Sequence, residues 1–160
     1  MTFNNSKTII SLRIKLFAVT VLFLGYIGIV YAGKLIKFPL LGLGETAATL
    51  VVVIIWLITC LLPMLLNYQY FYFSDEGKNL TFRYFNAGII GGKKNSIEID
   101  KADFSGYTIR LKYFGLSRSL LLYQKVGQST GKYPPVYISA LTRDQRVKLT
   151  RSLDALVPAS

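Results

Sequence analysis

Ala87 to Ser96, AGIIGGKKNS, comes within one residue of a phosphate-binding loop. Such a loop needs Gly or Ala, four residues, then Gly-Lys and a Ser or Thr. Its backbone N–H groups and lysine hold the phosphates, and its hydroxyl holds magnesium. Ala87, Gly92 and Lys93 fit that pattern, but Lys94 stands where the hydroxyl belongs. The loop must also lead from a strand into a helix, whose N-terminus meets the phosphate. Here a second alternating segment, NSIEID, follows instead. The stretch is therefore read as a hairpin connection in which Gly88, Gly91 and Gly92 supply backbone freedom. No nucleotide is expected.

Glu98 and Asp100 lie two apart, so a strand places them on one face, with Asp103 just beyond. Paired carboxylates can do acid–base or metal chemistry. The chain has no His, and its one cysteine, Cys60, lies inside an uncharged apolar run. Nothing is left to complete a metal site or to activate a nucleophile. The solvated outer face of a strand is the favoured reading, with no metal, no cofactor and no enzymatic activity expected.

These residues hang from a chain whose first half is committed to lipid. Leu16–Ala32 and Thr46–Leu66 carry no charge. At 1.5 Å per helical residue the second run spans roughly 32 Å, enough for a hydrocarbon core of about 30 Å. The first reaches about 26 Å, but Ile9, Ile10, Leu12 and Ile14 extend it upstream, with Arg13 and Lys15 reaching back to the headgroups. Two membrane-spanning helices over about 9–32 and 46–66 are predicted. Val30-Tyr31-Ala32 is a poor cleavage site for a signal peptide, so the first helix is expected to stay as an anchor. The short connection has only Lys34 and Lys37, whereas Asn67–Ser160 has fourteen basic residues. The positive-inside rule then puts both termini in the cytoplasm.

Gly25, Gly28 and Ala32 place small residues three and four apart, a spacing that lets another helix approach closely in lipid. Trp56 falls mid-span, where it is expected to pack against a helix, and Pro63 kinks the last turns. The loop Gly33–Glu45 is apolar for a turn, with Phe38, Leu40, Leu41 and Leu43 among its residues. It either lies in the interface or is covered by another protein.

After Asn67 the pattern becomes period-two alternation, the signal of strands. Strands are predicted at 68–74, 79–86, 96–101, 107–114, 119–126 and 135–140, forming an antiparallel meander. Thr142-x-x-Gln145 is a capping-box start for a helix over about 142–156, with Val147, Leu149, Leu153 and Leu156 on its apolar face. The domain organisation is thus residues 1–66, with the two helices, and a β domain over 67–160. The run YQYFYF sets Tyr68, Tyr70 and Tyr72 on one face and Phe71 and Phe73 on the other. Burial of both faces needs a core on one side and lipid or a partner on the other. Arg83, Arg110 and Lys112 interleave with these aromatics, but no RNA-binding motif accompanies them, so no nucleic acid is expected.

Two N-terminal apolar helices followed by YFYFSDEGKNLTFRY, NSIEIDKADFSGY and VYISALTRDQRVKLTRSLDAL resemble the bacterial PH-like (pleckstrin-homology-like) membrane proteins. The resemblance covers about residues 10–157. It implies a membrane α hairpin plus an α+β domain: a bent antiparallel β-sandwich or barrel of seven strands, capped by a C-terminal helix. Six strands are countable, so the seventh is expected within 114–118 or 127–133. It also implies a bacterial inner-membrane protein whose β domain serves as a docking platform.

The expected function is a non-enzymatic accessory or scaffolding subunit of a larger integral membrane complex. It would dock through Gly25, Gly28 and Ala32, through Phe38, Leu40, Leu41 and Leu43, or through an open sheet edge; a homo-oligomer is also compatible. The alternative is an anionic-lipid sensing module using Lys93, Lys94, Arg143, Arg146 and Arg151. The region 67–160 has a net charge of +7, and each cation near an anionic leaflet contributes roughly 1 kcal/mol.

Overall fold

The computed structural model describes all residues except 34, 35, 40, 41, 43, 88–91 and 158–160. The chain divides into two compact units, Ser11–Leu65 on one hand and Met1–Ile10 with Leu66–Ser160 on the other. The β unit therefore begins at the N-terminus, before the helices, rather than at residue 67.

Helix α1 (Ser6–Ile27) continues as a π-helical turn over Gly28–Ala32, and α2 spans Glu45–Leu65. Both are long and apolar enough to cross a bilayer. Helix α1 starts earlier than its apolar run because Asn4 Oδ1 accepts from Ser6 N at 3.0 Å and from Ser6 Oγ at 2.6 Å, which satisfies a free amide of the first turn. Glu45 opens α2 with a negative charge at the positive end of the helix dipole. The two helices meet through Trp56, whose ring stacks on Phe23 at 4.7 Å and whose Nε1 donates to Thr20 Oγ1 at 3.3 Å. Tyr26 and Tyr31 bond Thr49 at 3.1 and 3.0 Å. Trp56 thus packs on a helix, as its mid-span position suggested.

The β unit holds two antiparallel sheets. One has the order β1 (Thr2–Asn4), β2 (Gln69–Ser74), β3 (Asn79–Asn86) and β4 (Asn95–Asp100). The other runs β5 (Phe104–Lys112), β6 (Ser117–Val126) and β7 (Ser129–Lys132), with β8 (Val136–Tyr137) also on β6. Register puts Phe73 opposite Phe82, and Phe82 opposite Ile97, so alternate residues fill one core. Phe71, Phe73, Leu80, Phe82, Ile99, Leu120, Leu122 and Val136 are completely buried there. The outer face of β2 is covered from within the chain: Tyr70 stacks on Phe85 at 4.6 Å, and Arg83 lies over Tyr72.

Helix α3 (Arg143–Asp154) closes the core with Leu149 and Leu153, both fully buried. Its capping box is formed by Thr142 and Gln145 in both directions. Val147, expected on the apolar face, is exposed; the face runs through Leu149, Leu153 and the partly buried Leu156, at i, i+4 and i+7. Three other expectations move. The strand sought in 127–133 is β7, the strand expected to end at Phe114 stops at Lys112, and 135–140 contracts to Val136–Tyr137.

Strand β1 has no counterpart in the alternation pattern. It pairs with β2 from Thr2↔Ser74 to Asn4↔Tyr72, and Phe3 packs on the core. Asn5, buried at 1% exposure, extends the ladder with its side chain. Its Nδ2 donates to Gln69 O at 2.9 Å, its Oδ1 accepts from Phe71 N at 2.8 Å, and its own N donates to Phe71 O at 3.1 Å. Gln69 passes the connection on: its Nε2 donates to Asn86 Oδ1 at 2.9 Å, and its Oε1 accepts from Tyr137 N at 3.0 Å. Asn5→Ala strands two buried backbone groups of β2 and is expected to cost about 2–4 kcal/mol. Chemical unfolding of the full chain in detergent, followed by tyrosine near-UV dichroism, measures this; a cost below about 0.5 kcal/mol, the size of an ordinary surface change, would contradict the role given to Asn5.

Candidate functional site

The stretch that comes close to a phosphate loop joins two paired strands, β3 and β4, and Lys93 and Lys94 are exposed just before β4. Gly88 and Gly91 lie outside the described residues. A Cβ on Gly92 would come within 2.9 Å of Asn86 Cβ, so glycine there permits the close return of the chain. Glu98 and Asp100 stand on the exposed side of β4, and Asp100 Oδ1 accepts from Ala102 N to shape the turn into β5.

The carboxylate most engaged by the fold is Asp75, between β2 and β3. The Met1 ammonium and the Ser152 hydroxyl both bond its carboxylate, and Lys101 Nζ donates to its carbonyl oxygen at 2.5 Å. Burial pushes the Asp75 carboxyl up, but the bonds and charges around it outweigh that and hold it below its usual value.

An open groove of about 740 Å³ runs along β5 and includes Gly106, Tyr107, Thr108, Tyr123, Thr130 and Asp154 in its lining. A β-bulge between Phe104 and Gly106 bends the strand here, and Gly106 takes φ +146°, which L side chains rarely adopt. Tyr107 donates its hydroxyl to Asp154 Oδ1 at 2.6 Å, tying the end of α3 to β5. Burial first, then the bond and charge of Asp154, push the Tyr107 phenol up to about 12. The phenol and the carboxylate satisfy one another, an arrangement suited to holding α3 in place.

On the helices, Gly25 and Gly28 have nothing within 4 Å of where a side chain would stand. Thr20, Phe23 and Tyr26, with Tyr31 on the π-helical turn, make contacts to α2. At 100° per residue the two glycines lie roughly opposite that face. Ala32 is exposed, Phe38 is half-buried, and Leu40, Leu41 and Leu43 lie outside the described residues.

The basic residues divide. Arg151, Lys93 and Lys94 are exposed. Arg143 and Arg146 are gathered with Arg118, a residue that no sequence motif singles out. Burial first, then the charges of Arg118 and Arg143, draw the Arg146 guanidinium below its usual value. Arg146 donates to Leu141 O at 2.6 Å and Arg118 Nε to Gly115 O at 3.2 Å. Among the described residues no carboxylate forms a salt bridge with any of the three. The absence of acid from Phe104 to Arg143 was the available sequence signal.

The chain matches no family model, no curated protein and no solved structure.

The tyrosine supplies a test of how α3 is held. A folded phenol titrating at about 12 keeps its proton where an unfolded tyrosine, near 10, has lost it. Its contribution to stability is complete below about pH 10 and is lost as pH rises through about 12. Tyr107→Phe should remove the part of the alkaline decline in unfolding free energy that falls in this window; identical pH profiles for the two proteins would contradict the assignment.

Proposed function

We propose that this protein is a membrane-anchored, non-enzymatic docking subunit: a two-helix hairpin in the bilayer carrying a PH-like β unit. The anchoring is supported by the apolar side chains α1 and α2 turn outward, Phe17, Leu22, Ile58 and Met64 among them. Both ends of the hairpin return to a single β unit, which supports two passes with both termini on one side. The positive-inside rule makes that side the cytoplasm, and the resemblance to bacterial PH-like membrane proteins would make the membrane a bacterial inner membrane. Two antiparallel sheets followed by a helix that closes the core support the PH-like reading. In that fold α1 and α2 are inserted between the first strand and the second.

The observation that carries the docking role is the small-residue face of α1. The hairpin satisfies itself through Thr20, Phe23, Tyr26, Thr49 and Trp56, and this leaves Gly25 and Gly28 open on the other side. In lipid, where apolar surface alone does not drive association, close backbone approach at such residues does. A larger integral membrane protein is the expected occupant, with Phe38 and the loop around it as a second contact.

Contact with anionic lipid is the second reading, favoured by Arg118, Arg143 and Arg146 standing together without a carboxylate salt bridge among the described residues. Its expected signature is a response of groups beside the cluster to headgroup charge.

Purification of the tagged protein from its native membranes in mild detergent tests the docking role. A stoichiometric larger membrane protein should accompany it, should be lost with Gly28→Leu, and should persist with Leu22→Ala. Retention of every partner by Gly28→Leu, or migration of the wild type alone, would contradict the docking face.

A further inference from the structure

The β5–β6 hairpin ends in four residues, Tyr113–Leu116, beyond the last ladder pair Lys112↔Ser117. Gly115 N donates to Lys112 O at 3.2 Å, and both residues between them have positive φ: Tyr113 at 51° and Phe114 at 55°. Gly115 follows with φ 85°, and Leu116 N donates to Tyr113 O at 3.1 Å, so the turn is left-handed through three residues, a conformation that disfavours bulky side chains. Two aromatic residues hold these positions against their own conformational preference. They do not repay it by packing, because Phe114 is fully exposed at 108% and Tyr113, Leu111 and Leu116 are each about 60% exposed. A cluster of four exposed apolar side chains at one hairpin end marks a surface made to meet something apolar.

The surroundings say what. Arg110, Lys112 and Arg118 flank the tip, and no Asp or Glu occurs from Phe104 to Arg143. Arg118 bonds the tip itself, through Gly115 O, and stands near Arg146 and Arg143. Within the β unit the tip belongs to the end at which the chain arrives from α2. Gln69, the first residue of β2, bonds Tyr137; Tyr137 pairs with Ser119, two residues from the start of β6. An apolar, aromatic tip inside a collar of cations is the chemistry of an anionic bilayer interface, where aromatic rings enter the headgroup region and cations meet phosphates. A protein partner would have to bring an acidic patch beside an apolar one. The exposed Glu98 and Asp100 of β4, with Asp103 beyond, are carboxylates a second copy could offer, so contact between copies is an outcome the measurement must separate from lipid.

We propose that the Leu111–Leu116 hairpin end is an interfacial finger: Tyr113 and Phe114 enter the boundary between headgroups and acyl chains of an anionic membrane, and Arg110, Lys112 and Arg118 bind its phosphates. The proposal rests on the reading that α1 and α2 hold the protein in a bilayer. The finger would fix the β unit against the membrane surface by a contact separate from the helices.

Trp56 is the only tryptophan, so Trp56→Phe with Phe114→Trp places a single reporter at the tip of the full chain. The protein is reconstituted in vesicles of phosphatidylcholine, with or without phosphatidylglycerol, and only material resistant to a carbonate wash is read. Extraction by carbonate would refute the helix anchoring; the fluorescence of the resistant fraction reports on the finger separately. The expected result is blue-shifted emission, strong quenching by brominated lipid and weak quenching by acrylamide. The lipid quenching should increase with phosphatidylglycerol and lose that increase in Lys112→Gln with Arg118→Gln. A matching reporter at Val126→Trp, the exposed last residue of β6, should remain open to acrylamide. Red emission with full acrylamide access at residue 114 would overturn the finger. Shielding from acrylamide without lipid quenching would also overturn it, in favour of a protein contact. Should Trp56→Phe fail to fold, Phe114→Cys in a Cys60→Ser background, carrying a polarity-sensitive dye, reads the same burial in lipid: blue-shifted dye emission supports the finger and water-like emission overturns it.

Discussion

The structure depends on a return. The chain makes three residues of strand, leaves through an apolar helix, comes back through a second, and must then lie in register beside the strand it began with. Closing that loop costs entropy before any contact rewards it. Asn5 carries much of the reward. Its amide side chain imitates a peptide group and bonds both Gln69 and Phe71, in a place where the backbone has already turned toward α1. A hydrophobic residue could fill the space, but it would leave a buried carbonyl and a buried N–H of β2 without partners. The polar chain continues through Gln69 to Asn86 and Tyr137, so one network joins β1, β2, β3 and β8.

From that constraint the rest of the β unit follows. With β1 in place the first sheet has four strands, and Phe3 adds its ring to Phe71 and Phe73 at 6.2 and 5.6 Å. Gln145 Nε2 donates to Asn4 O, so the residue that completes the α3 cap also holds the end of β1. The far end of α3 is held by Tyr107 on Asp154. Helix α3, first strand and sheets are fastened at both ends by hydrogen bonds of known partners, and among the surfaces left over are the small-residue face of α1 and the aromatic hairpin end. Those two features carry the functional proposals because the fold gives neither of them a partner among the described residues.

Much of this was legible in the sequence, and what was not has physical causes. Alternation marked β2, β3 and β4 to within a residue because each has one fully buried face and one less buried, half-covered as at Phe71/Tyr72 or exposed as at Ile97/Glu98. The capping box of α3 is a local motif and needed no tertiary information. Strand β1 was hidden because three residues carry too little pattern, although Asn4-Asn5-Ser6 is a helix-start signal that should have moved the first helix upstream. Tyr113 and Phe114 continued an alternating run, so they read as strand; the turn they make contradicts their local preference and is visible only in the backbone. The Arg118, Arg143 and Arg146 cluster joins residues from β6 and α3, and no linear spacing announces it. Val147 shows the opposite failure, an apolar residue counted onto a helical face that the core does not reach.

The most direct measurement of the central claim is hydrogen exchange of the full-length protein in nanodiscs, read on peptides from residues 1–8 and 68–75. Slow exchange of both segments to a similar extent, with Asn5→Ala releasing the first and the Phe71 amide while β3 and β4 stay protected, is the result expected of a first strand closed onto β2. Exchange of residues 1–5 at the rate of free chain in the wild type would contradict it, and would leave the β unit beginning only after the second helix.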